Sequence, residues 1–148
     1  MKFAISIFLL LTLFAPSVSG KLRIQGCDNL ETLDAQHFVL FNKKELIELG
    51  ECLALEVLKG NNAYDWGNTC REYIEDEQAI LGTLVLSKLE AIQIGQCVGA
   101  INYIYVRYHK EEGQFASCFK GKKAVQLLAD LRGDSLNKRE LKTLLCRR

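Results

Sequence analysis

Residues Ser87–Tyr108 read SKLEAIQIGQCVGAINYIYVRY, and the reading of this stretch decides the fold. Ser87 followed by Glu90 has the form of a capping box, in which each side chain satisfies a free backbone N–H at the start of a helix. Apolar or small residues then recur at helical spacing: Leu89, Ile92, Gly95, Cys97, Ala100, Ile101, Ile104 and Tyr108. Gly95 and Gly99 are four residues apart and so share one face. A glycine inside a helix costs roughly 1 kcal/mol relative to alanine. Close approach of another backbone is the simplest compensation. The stretch therefore predicts a central core helix, crossed tightly by a neighbour and stapled through Cys97.

A second stretch echoes the first. Glu45-Leu-Ile-Glu-Leu-Gly50-Glu-Cys52 matches Glu90-Ala-Ile-Gln-Ile-Gly95-Gln-Cys97 at a constant offset. It follows its own capping pair, Asn42 and Glu45, and carries the stripe Leu46, Leu49, Cys52, Leu53 and Val57 before Gly60 stops it. Convergence on one amphipathic pattern and a duplicated helical hairpin are both compatible with the echo. The duplicated form places Gly50 and Gly95 at the crossing.

The remaining chain adds shorter elements. Asp34 can cap a short helix, Ala35 to Phe41. Gly60–Gly67 reads as a loop in which Trp66, the only tryptophan, suits a lid over the core. A helix is expected from Asn68 or Thr69. Its acidic cluster, Glu72, Glu75, Asp76 and Glu77, suits a helix N-terminus and a wet face; a docking patch for a basic partner is the sharper reading. Gly82–Leu86 reads as a helix end and tight connection. Gln114–Gly121 reads as a loop around Cys118. Lys122–Arg132 forms a short helix stopped by Gly133, and Asn137 with Glu140 opens a last helix that runs to Cys146.

Residues 1–20 have the form of an export signal, with Lys2, an apolar run from Phe3 to Phe14, Pro16 and small residues at Ser17–Gly20. The run is too short for a membrane span, which needs about 20 residues. Residues 21–148 then form one helical, disulfide-rich domain. All six cysteines (Cys27, Cys52, Cys70, Cys97, Cys118 and Cys146) fall in it. An even number in an exported chain implies disulfides, although six cysteines allow 15 pairings. The fold class is all-α: a small disulfide-stapled bundle of four to six helices. With 19 basic and 18 acidic residues, the net charge of +1 gives no case for nucleic acid.

No nucleophile elbow, phosphate loop or HExxH motif is present, and the cysteines are in no metal-ligand spacing. The chain is therefore expected not to be an enzyme and to need no cofactor or metal.

Cys70, Cys97-Val-Gly-Ala-Ile, Cys118, Gln126 and Cys146 together resemble the Tai-type amidase immunity proteins of type VI secretion. The resemblance covers Thr69–Arg148. Val98-Gly99 stands where the family has glycine directly after the cysteine, and Phe119 stands where proline is common. The resemblance implies a periplasmic protein that binds and blocks an injected peptidoglycan amidase, without catalysis, and it admits a homodimer. It transfers no inhibitory residues. Loop residues that a rigid bundle would present, Tyr64, Asp65, Trp66, Phe115 and Phe119, are the candidate contacts. The alternatives are a secreted, extracellular helical carrier of a small apolar ligand, and a periplasmic stress chaperone.

Overall fold

The computed structural model describes residues 27, 41–78, 87–109 and 117–147. The expected signal at residues 1–20, residues 35–40 of the expected helix 35–41, the connection at 82–86 and Phe115 lie outside these residues; Phe41 itself is not helical. The described elements are α1 (Lys43–Lys59), α2 (Trp66–Gln78), α3 (Lys88–Tyr108), β1 (Ser117–Cys118), α4 (Gly121–Ala129), α5 (Lys138–Leu145) and β2 (Cys146–Arg147). The protein is an all-α, disulfide-stapled bundle. The two strands form one antiparallel pair, with Ser117 opposite Arg147 and Cys118 opposite Cys146.

Three helices open as their sequences dictate. Asn42, Ser87 and Asn137 each accept from the backbone N–H three residues on, and Glu45, Glu90 and Glu140 each accept from the cap N–H in return. Each of these helices carries the second cysteine of a disulfide at or just past its end, or in its middle. The pairing joins sequence neighbours: Cys27–Cys52, Cys70–Cys97 and Cys118–Cys146. The three loops closed are alike, with separations of 25, 27 and 28 residues.

α1 and α3, the two echoed helices, make the most extensive contact in the fold. Gly50, Gly95 and Gly99 sit at their crossing, as expected. A Cβ on Gly50 would strike the Ile92 carbonyl oxygen, and one on Gly99 would lie 2.6 Å from the Glu51 Cα. Both positions need glycine because backbone meets backbone.

The main core is shared by α1, α2, α3, α4 and α5. Ala54, Leu58, Cys97, Ala100, Ile104, Leu128, Leu141 and Leu145 are almost wholly excluded from solvent. Leu89 departs from its expected place: it is 65 % exposed, one position outside the buried stripe Ala91–Ile94–Gly95.

Two helix boundaries differ from expectation. α2 begins at Trp66, not at Asn68 or Thr69, because Asp65 Oδ1 accepts from the Asn68 N–H at 2.9 Å and so caps the helix earlier. The acidic cluster 72–77 therefore falls in the second half of α2, away from its N-terminus, and does not complement the helix dipole. Lys43 pairs with Asp76 at 2.9 Å and Lys122 with Glu77 at 3.3 Å. α4 ends at Ala129, short of the expected Arg132. Its chain turns under α2, where Arg71 Nη1 donates to the Leu131 carbonyl at 3.0 Å and Gly67 leaves room for that carbonyl.

Candidate functional site: a groove beside the helix crossing

Two straight helices that touch at glycines separate on either side of the contact. Beyond Gly99 the separation of α1 and α3 opens a groove of about 560 Å³. Glu51 and Leu55 line it from α1; Gly99, Asn102, Tyr103, Val106 and Arg107 line it from α3. The α3 positions follow the spacing i, i+3, i+4, i+7, i+8 from Gly99, which is one helical face. Val106 is 74 % exposed, a large apolar side chain at the mouth of the groove.

The groove combines apolar walls (Leu55, Tyr103, Val106) with a few polar groups. This composition and volume suit a small apolar body or one side chain of a partner. Burial raises the Glu51 carboxyl above its usual range, and the neighbouring Glu48 carboxylate adds to the effect.

The residues expected at the contact surface have other duties. The Tyr64 hydroxyl donates to Gln96 Oε1 at 2.9 Å, and its backbone forms an antiparallel bridge with Leu136. Asp65 caps α2. Trp66 is fully buried, as expected of a lid over the core, which takes it out of the candidate contacts: its ring packs 4.8 Å from that of Tyr64 and its Nε1 donates to the Leu136 carbonyl at 2.8 Å. A large aromatic with one polar edge is stable inside once that edge has an acceptor. Tyr64–Trp66 thus fastens α2 to the segment before α5. Phe119 is partly buried, with the Lys123 ammonium 4.4 Å from its ring.

A second cluster surrounds the end of α3. The Tyr105 and His109 rings stack at 4.4 Å, with Lys120 over Tyr105 at 5.0 Å and Lys142 over Tyr108 at 4.6 Å. His109 Nδ1 accepts from the Cys118 N–H at 3.3 Å, which joins this cluster to β1. Apart from Gly99, the groove residues escaped the sequence reading, and so did the assembly of this cluster. The face that descends from Gly99 through Tyr103 and Val106 was the available signal for the groove.

Among the described residues, no group of three His, Cys, Asp or Glu side chains is placed to hold a metal ion. No described helix is long and apolar enough to cross a membrane. Three disulfides place the folded chain in an oxidising compartment, as for an exported protein. Comparison with protein families, characterised proteins and solved structures finds no match.

Proposed function

We propose that this chain is an immunity protein of the periplasm that binds a peptidoglycan amidase and blocks its active site. The observation that carries the reading is the scaffold Cys70, Cys97-Val-Gly, Cys118, Gln126 and Cys146, which resembles the Tai-type proteins. Two disulfides and a short strand pair hold that scaffold together from α2 to β2. Rigid presentation suits an inhibitor, since little conformational freedom is lost on binding.

The test is capture by the oxidised mature protein, followed by a peptidoglycan-hydrolysis assay of what is captured. One tightly bound amidase, inhibited in equimolar mixture, supports the reading. Capture of no amidase, or of an amidase that stays active in the complex, overturns it.

The groove favours a second reading, a carrier of a small apolar ligand, because Leu55, Tyr103 and Val106 present apolar surface around a volume suited to one. Saturable uptake of a fluorescent fatty acid, abolished by Val106→Glu at the exposed mouth of the groove, would favour the carrier.

A further inference from the structure

The charges of this near-neutral chain are separated along its length. Residues 41–78 hold nine acidic and four basic side chains, whereas residues 117–147 hold eight basic and three acidic ones. The basic segment folds as β1, α4, α5 and β2, with α4 packed chiefly on α2 and with β1 and α5 against α3. Three of its lysines are ordered in a particular way. Lys120, Lys123 and Lys142 each hold the ammonium over an aromatic ring, those of Tyr105, Phe119 and Tyr108.

We propose that this face, built from the last turns of α3 and from β1, α4 and α5, docks a carboxylate-rich surface on a protein partner. A lysine stacked on a ring has already lost much of its rotamer freedom, so an incoming carboxylate meets a preorganised charge. Partly exposed tyrosines and a phenylalanine between the charges supply the apolar contact area typical of an interface centre. The Cys118–Cys146 disulfide and the β1–β2 pair fix the face.

The charge pattern also decides between kinds of polyanion. A nucleic acid carries its charge continuously and is held by a long basic track. Here the basic face adjoins the acidic half of α2, where Lys122 already pairs with Glu77. A compact acidic patch fits within the basic face, whereas an extended strand would run onto the acidic side.

The inference rests on the immunity reading only for the partner's identity, so its test uses a defined probe first. A hexaglutamate peptide is titrated into the oxidised mature protein and followed by NMR. Saturable shifts at Tyr105, Tyr108, His109 and Phe119, weakened as salt rises, are expected. The triple change Lys120→Glu, Lys123→Glu, Lys142→Glu should weaken binding at least about tenfold, while the triple change to arginine retains it. If the triple glutamate variant fails to fold, the exposed Lys120→Glu alone gives the direction. Absence of shifts, shifts centred elsewhere, or equal binding of an oligothymidylate would overturn the proposal. The captured amidase then separates the two readings. An amidase bound equally well by the folded glutamate variant removes this face from the interface and leaves the immunity function. Binding of hexaglutamate at these rings without capture of any amidase keeps the face and removes the immunity function.

Discussion

Gly50 and Gly95 meet each other reciprocally. A Cβ on either would come within 2.9 Å of the other's Cα, and each would strike a carbonyl on the opposite helix, that of Ile92 from Gly50 and that of Ile47 from Gly95. Ile47 and Ile92 are themselves equivalent positions in the echoed stretches. The contact therefore relates α1 to α3 by a local two-fold arrangement, in which each helix uses the same surface. Gly50→Ala or Gly95→Ala should lower stability by at least about 1–3 kcal/mol, the usual cost of overpacking, because backbone cannot move aside as a side chain can. The two changes together should be strongly non-additive, since one displacement of the helices relieves both. Urea midpoints of the single and double variants check this, and an unchanged midpoint for either single variant would contradict the close crossing.

The disulfides give a second expectation. Peptide mapping without reduction should recover Cys27–Cys52, Cys70–Cys97 and Cys118–Cys146. Loop closure over 25–28 residues corresponds to about 3.5 kcal/mol per bond in the chain-entropy description. Replacing Cys70 and Cys97 by alanine should fall near or above that figure, because both cysteines are fully buried and truncation also leaves a void.

Trp66 provides an optical test. Its complete burial predicts blue-shifted fluorescence that moves to the red on unfolding. Trp66→Phe should cost about 1–3 kcal/mol, from the lost hydrogen bond and the smaller ring. The Leu136 carbonyl would not be left unpaired, since it also accepts from the Tyr64 N–H at 3.1 Å, and this keeps the cost moderate. Emission at a solvent-exposed wavelength in the native state would contradict the placement.

Glu51 makes stability depend on pH in an unusual direction for a carboxylate. Its folded pKa lies above that of an ordinary carboxyl, chiefly because burial disfavours the charged form, so the folded state holds the proton more tightly than the unfolded chain. Stability therefore falls as pH rises from the unfolded value through the folded one. Glu51→Gln should stabilise the protein at neutral pH, and the gain should vanish below the ordinary carboxylate range. Chemical denaturation of both proteins across mildly acidic to neutral pH reads this directly. A variant less stable than the parent at neutral pH would show that Glu51 makes a favourable interaction instead.

Local signals carried much of the architecture. Each capping box is complete within four residues, so Asn42, Ser87 and Asn137 identified their helices without tertiary information. The echo located the glycine crossing because a glycine pair inside a helix needs a close neighbour. The start of α2 was obscured by an ambiguity of residue type. Asp65, Asn68 and Thr69 are all good caps, and the choice depends on Trp66 reaching Leu136, seventy residues away. Disulfide pairing and the β1–β2 match are likewise set by distant partners. The groove arises from divergence beyond Gly99, a property of two helices together, and the lysine–aromatic face assembles residues from α3, β1, α4 and α5.

The serial pairing of the cysteines has a consequence for how this chain is made. As a chain emerges from an export channel N-terminus first, each second cysteine appears while its correct partner is the nearest unpaired thiol behind it. Cys52 finds Cys27, Cys97 finds Cys70 and Cys146 finds Cys118. An oxidase that simply joins consecutive thiols on arrival produces the native set. Correct oxidation can thus proceed vectorially with translocation, and reshuffling by an isomerase is unnecessary.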